Sequence, residues 1–178
     1  MQSNRRIANI ALIGFMGTGK TSVGRLVAEL LHFHYVDTDE MIQSSTGRTV
    51  AEIFAESGEA AFRALEEKVV AELAGRTHTV ISCGGGLPVA PQNMAGLKTH
   101  ALVVCLWASP GKIWERVKNQ THRPLLHDPD PQKKIRELLA AREPFYKRAD
   151  ILLNTELRSL REVAQQVVHQ FGLESARR

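Results

Sequence analysis

Five short apolar runs punctuate the chain, at residues 7–13, 33–36, 79–82, 101–107 and 150–153. Longer stretches between them repeat apolar positions at helical spacing. After the first run, Val23, Leu26, Val27, Leu30 and Leu31 fall on one side of a helix. Only some of the runs alternate polar with apolar. A strand without a polar face is a strand buried on both sides, so apolar strands joined by helices predict a parallel sheet covered on both faces. No internal repeat or low-complexity segment interrupts this order, and 178 residues suit one domain, read as 1–178. One stretch differs. "THRPLLHDPDPQ", residues 121–132, holds three prolines and two aspartates without helical period, and is predicted to be a functional surface loop. The tail after Phe171 is expected to fray.

The first strand runs into "GFMGTGKTS", which fits G-x-x-x-x-G-K-[ST] with Gly14, Gly17, Gly19, Lys20 and Thr21. A strand before it and an amphipathic helix after it supply the context this pattern needs. Glycines let the backbone turn tightly and aim its N–H groups inward, and the helix N-terminus adds partial positive charge. The stretch therefore reads as a cradle for a nucleoside triphosphate, with Thr18 and Ser22 beside it. Lys20 would reach the β- and γ-phosphates and the Thr21 hydroxyl would face Mg²⁺.

Composition narrows the rest. The chain is 43% hydrophobic and 24% charged, as expected of a globular protein, and its longest apolar run is too short to cross a bilayer. Cys83 and Cys105 form no disulfide framework and match no zinc spacing; both read as buried thiols in a reducing cytoplasm. A net charge of +4 and a pI near 9.3 raise the question of nucleic acid. The basic residues stand singly on helical patterns, as Arg136 and Lys147 do, and only 6% of residues are aromatic. Small anionic substrates fit better, with no nucleic acid and no membrane as partner.

Four further features give the cradle a purpose. Of the five strands only "HYVDTD" ends in acid, which makes Asp37 the choice for the Mg²⁺ shell. Asp39 lies two residues on; in extended chain both carboxylates would point one way, leaving Asp39 to accept a proton from a hydroxyl. The plainer alternative is that Asp39 caps a helix starting near Glu40. In "FRALE", Arg63 and Glu66 sit at i,i+3 and can pair, either as an ordinary surface ion pair or as a held guanidinium that recognises a carboxylate. Gly84, Gly85 and Gly86 follow the third strand, where ligands of open parallel sheets bind. Arg123 lies in the proline-rich loop, and Arg142 stands just before Pro144. A charge on a mobile loop would neutralise a transferring phosphoryl and then leave with product.

In order, G-x-x-x-x-G-K-T, D-x-D, F-R-x-x-E, G-G-G, R-P-L-L and R-x-x-[FY]-Y resemble the shikimate kinases, over nearly the whole chain. The resemblance implies an α/β, P-loop, nucleoside-monophosphate-kinase-like three-layer fold. Its five-stranded parallel sheet would run in the order 2-3-1-4-5, with helices on both faces and a mobile lid at about residues 116–132. It implies transfer of the γ-phosphoryl of ATP to the 3-hydroxyl of shikimate, with Mg²⁺, by a cytoplasmic monomer. Carried over by residue, Lys20, Thr21 and Asp37 keep the roles above, and Asp39 binds the ring hydroxyls and acts as base. Arg63 and Arg142 clamp the carboxylate, with Glu66 orienting Arg63. Gly84, Gly85 and Gly86 form the wall of the shikimate site. Arg123 is the lid arginine that meets ATP, Arg116 sits beside adenine, and Arg158 closes the adenine pocket. Three alternatives stay open: a gluconate kinase of the same architecture, a module that binds ATP without phosphorylating anything, and a nucleic-acid-binding ATPase.

Overall fold

The computed structural model describes residues 5–120 and 128–176. Strand β1 (Asn9–Ile13) leads through the glycine loop into helix α1 (Lys20–Leu31). Then come β2 (His34–Asp37), α2 (Thr38–Thr46) and the long α3 (Val50–Leu73), followed by β3 (Thr79–Ser82) and a single 3₁₀ turn (Leu87–Val89). Helix α4 (Pro91–His100), β4 (Ala101–Trp107), α5 (Pro110–Val117), α6 (Pro131–Tyr146), β5 (Ile151–Asn154) and α7 (Leu160–Ser175) complete the fold. Every strand pairing is parallel and the sheet order is β2-β3-β1-β4-β5.

The apolar runs become strands because both of their faces are buried. In β1, Ile10 and Leu12 point into a core shared with Val23 and Val27 of α1 and Val163 and Val167 of α7. Ala11 and Ile13 point the other way, into a core with residues of α3, α4, α5 and α6. Neighbours in sequence thus serve opposite cores, and every position of β1 is buried, whereas the edge strands β2 and β5 keep exposed positions such as Leu152. Burying each large aliphatic side chain contributes about 1.5–3 kcal/mol. The result is three layers, helix over sheet over helix.

Several boundaries differ from the sequence reading, each for a local reason. The proline-rich loop ends at Asp130, because Asp130 caps α6 by accepting from Lys133 N–H at 3.0 Å and Pro131 takes the first turn. A proline there loses no hydrogen bond, so "DP" starts the helix. Arg116 and Val117 belong to α5, which removes them from the expected lid span of 116–132. Residues 121–127, with Arg123, lie outside the described residues. Helix α7 continues through Ser175, so the segment from Gly172 is helical, not frayed. Leu30, placed on the apolar side of α1, is 41% exposed.

Candidate active site

The charged motifs collect at the C-terminal ends of β1, β2 and β3, around a cleft of about 570 Å³. Glycine makes the floor possible. Gly14, Gly17 and Gly19 have φ of 137°, 74° and 97°, a region that side chains disfavour. Gly19 is the N-cap of α1, so the loop passes directly into the helix N-terminus. The Lys20 ammonium bends back over this loop and donates to the carbonyls of Gly14 (2.8 Å) and Phe15 (2.9 Å). Thr18 is buried and donates to Phe15 C=O at 2.8 Å, which locks the turn. Thr21 and Ser22 open α1 and line the cleft.

The D-x-D segment is not extended. Asp37 ends β2 and is itself the N-cap of α2, its Oδ1 accepting from Asp39 N–H (3.0 Å) and Glu40 N–H (3.4 Å). The cap is therefore Asp37 rather than Asp39, and the chain turns helical at Thr38 because these bonds satisfy otherwise orphaned amides. Both carboxylates still face the cleft. Burial, then the nearby Asp37, pushes the Asp39 carboxyl up to about 6, while Lys20 and Arg63 pull against that rise. Asp39 Oδ1 is buried without a hydrogen-bond partner.

Thr38, between the aspartates, is a contributor that sequence reasoning passed over. Fully buried, its hydroxyl accepts from Gly84 N–H at 2.9 Å and ties the end of β2 to the glycine turn after β3. A hydroxyl between two acids at a strand end was the signal available.

Each of the three glycines in that turn lies against one charged side chain. A Cβ on Gly84 would come within 2.5 Å of Asp39 Oδ1, and one on Gly86 within 2.7 Å of the Arg63 guanidinium. One on Gly85 would stand 3.4 Å from Arg142 Nη1. Removing side chains from the turn lets a carboxylate and two guanidinium groups converge on one short backbone segment.

Arg63 is held from below. It donates to Glu66 at 2.7 Å and to Glu59 at 2.8 Å, and Glu66 is only 1% exposed. The pair is thus no solvated surface bridge, since one partner is in the core. Burial pushes the Glu66 carboxyl up, and the Arg63 contact opposes that push. Arg142 reaches the cleft from α6, with its guanidinium 5.6 Å from the centroid of the Phe15 ring. Tyr146, one helical turn on, donates to Gly85 C=O at 2.7 Å and fixes the turn from behind.

Arg116 bridges the far end of the cleft. It donates to Gly17 C=O (3.1 Å) and to the hydroxyl and carbonyl of Thr155 (3.0 and 2.8 Å), joining the glycine loop to the segment after β5. Arg158 is exposed, donates to Asn154 C=O at 3.4 Å, and does not line the cleft. Both cysteines are buried; burial pushes the Cys83 thiol far up and the Cys105 thiol up to about 12. Among the described residues no three His, Cys, Asp or Glu side chains converge as a metal cage, and none of their helices is long and apolar enough to cross a membrane.

A family model described as shikimate kinase matches residues 16–171. The shikimate kinase of Thermodesulfovibrio yellowstonii is 45% identical over 163 residues, which cover 92% of this chain and 94% of the relative. A solved structure of shikimate kinase from Acinetobacter baumannii in complex with shikimate has a TM-score of 0.87 at 36% identity, covering 97% of this chain and 96% of that one. A gluconokinase from Sinorhizobium meliloti covers 97% of this chain, and 95% of its own is covered, at a TM-score of 0.63. At 17% identity its likeness is one of fold alone. A glycine cradle, a carboxylate and two arginines on one turn, and relatives matched over nine-tenths of the chain lead to one conclusion: the chain belongs to the shikimate kinase family.

Proposed function

We propose that this chain transfers the γ-phosphoryl of ATP to the 3-hydroxyl of shikimate, giving shikimate 3-phosphate and ADP. The observation that carries the reading is the glycine turn, where Gly84, Gly85 and Gly86 lie against Asp39, Arg142 and Arg63. An acceptor on that turn meets two cations suited to its carboxylate and one anion suited to its hydroxyls. A neutral sugar has no carboxylate for such a pair of arginines to grip.

The roles follow from the chemistry. Phosphoryl transfer asks little covalent work of a protein and much positioning and charge stabilisation. Lys20 and the amides of Gly14 to Thr21 hold the phosphates. Asp39 orients the acceptor hydroxyl and takes its proton. Arg63, kept in place by Glu66, and Arg142 grip the carboxylate bidentately. Arg116 borders the adenine with Arg158 nearby, and Arg123, on sequence grounds, adds charge from the lid. An ATP-dependent kinase uses a metal ion with its nucleotide, and we assign Mg²⁺. The donors fit it: the Thr21 hydroxyl and the Asp37 carboxylate are hard oxygens, and a small ion that keeps its waters needs few protein ligands. When bound, Mg²⁺ neutralises charge on the phosphate oxygens. One domain, monomeric and cytoplasmic, completes the reading.

The arginine–carboxylate contact is tested by a double-mutant-style cycle. Arg63→Ala should weaken shikimate binding about ten- to a hundredfold and leave ATP affinity nearly unchanged, since charge-assisted hydrogen bonds contribute about 1.5–3 kcal/mol each. A neutral carboxamide analogue should lose similar affinity on the parent and much less on Arg63→Ala. Additive losses would place Arg63 outside the site.

A further inference from the structure

The tyrosine of "HYVDTD" has a hydroxyl that the packing of its ring does not explain. Tyr35 lies in β2 in register with Val80, and Asp37 in register with Ser82. Residues two apart on a strand share a face, so Tyr35 and Asp37 stand on the side covered by α1. The ring rests on Gly24 of α1, where any Cβ would come within 2.8 Å of Tyr35 Cε2, and the Arg25 guanidinium sits 5.4 Å from its centroid. A phenylalanine would fill this space equally well. The hydroxyl continues toward the nucleotide end of the cleft, where it faces the hydroxyls of Ser82 and Thr21 and the carboxylate of Asp37. It is buried there without a hydrogen bond of sound geometry. A buried hydroxyl left unpaired is costly, so its position calls for a use.

Proton bookkeeping supplies one, and it rests on the metal-facing roles given above to Thr21 and Asp37. A hydroxyl that commits a lone pair to a metal ion must send its proton to another acceptor. An ionised carboxylate accepts only, so its orientation is best fixed by a donor. Tyrosine can do both, accepting on its oxygen and donating its proton. We propose that Tyr35 is a positioning residue for the metal end of the site, its hydroxyl accepting from Thr21 Oγ1 and donating to Asp37. Both metal-facing oxygens are then aimed by one rigid phenol anchored between β2 and α1. Such outer partners orient and tune the groups that touch a metal. The unpaired state in the free enzyme is the cost of that readiness, and binding of the metal nucleotide relieves it.

The test is calorimetric titration of ADP, with Mg²⁺ and with chelator, into the parent, Tyr35→Phe, Thr21→Val and the double variant. Tyr35→Phe should bind ADP as the parent does in chelator, and should lose about three- to tenfold of the tightening that Mg²⁺ adds. Its melting temperature without ligand should be no lower than the parent's, because the variant removes an unpaired hydroxyl. On Thr21→Val, the further change Tyr35→Phe should cost less of the Mg²⁺-dependent tightening than it does on the parent, because only the Asp37 contact is left to lose. Full Mg²⁺-dependent tightening in Tyr35→Phe, or an equal loss with and without Mg²⁺, would overturn the proposal while leaving the metal reading intact. A parent whose ADP affinity ignores Mg²⁺ would remove the metal reading, and this proposal with it.

Discussion

Asp39 shows how one side chain joins stability to chemistry. Its carboxyl titrates near 6 where an unburied aspartate sits at 3.8, chiefly because it is buried. A base must be ionised to accept a proton, so kcat/KM should rise about tenfold per pH unit below 6 and level off above it. The sign for stability is opposite. Between pH 3.8 and about 6 the folded protein holds a proton that the unfolded chain releases, so stability falls as pH rises through that window. Asp39→Asn removes the ionisable group at nearly constant shape. At pH 8 it should melt above the parent by about 2–4 °C, an advantage that fades toward pH 4, while turnover drops about a hundredfold to ten-thousandfold. Thermal scans at the two pH values, set beside rates, check this. A variant that loses turnover without gaining stability at pH 8 would mean the carboxylate is not destabilised in the fold. The ends of this site were legible in the sequence because charge and glycine at fixed spacing have few other uses. Thr38 and Tyr35 were not, and Tyr146 stood only as the last letter of R-x-x-[FY]-Y without a role, because a hydroxyl becomes meaningful only when folding brings it to a partner far along the chain, as Tyr146 meets Gly85.

At the scale of elements, boundaries were misplaced where an aspartate read as a ligand or as loop is a helix cap. Asp37 and Asp130 both start helices, and an aspartate before a turn or a proline carries that signal as clearly as it carries a charge. Helix α3 has the opposite feature, a break within a helical pattern. Its backbone leaves helical geometry at Gly58, with φ 78° and ψ 175°, between the turns that carry Phe54 and those that carry Arg63. Periodicity hides such a kink, since Glu56 and Glu59 look helical on either side. That conformation is essentially reserved for glycine and costs other residues about 1–3 kcal/mol. A Cβ at Gly58 would meet nothing within 4 Å, so the whole effect of Gly58→Ala is conformational. Urea denaturation should show a loss of about 1–3 kcal/mol, with shikimate KM rising because Phe54 and Arg63 no longer face one cleft. An unchanged midpoint would mean that α3 straightens without cost.

For the whole molecule, the sheet was the most legible feature. Its central strands are apolar on both faces because two cores claim them, and that property is written in consecutive residues such as Ile10, Ala11, Leu12 and Ile13. Strand order was different: it came with the family resemblance, since nothing local in a strand names its neighbours. The same fold carries a gluconokinase at 17% identity, so architecture cannot choose the acceptor, and in the proposed function that choice falls to the turn at Gly84–Gly86 and the side chains packed on it. The most direct measurement is therefore ADP release from Mg-ATP by the purified protein with shikimate, gluconate, quinate or no acceptor, with the phosphorylated product identified by ³¹P NMR. The account predicts release that depends on shikimate, yields its 3-phosphate and disappears in Lys20→Met. Release driven by gluconate and not by shikimate, or equal release with no acceptor present, would contradict it.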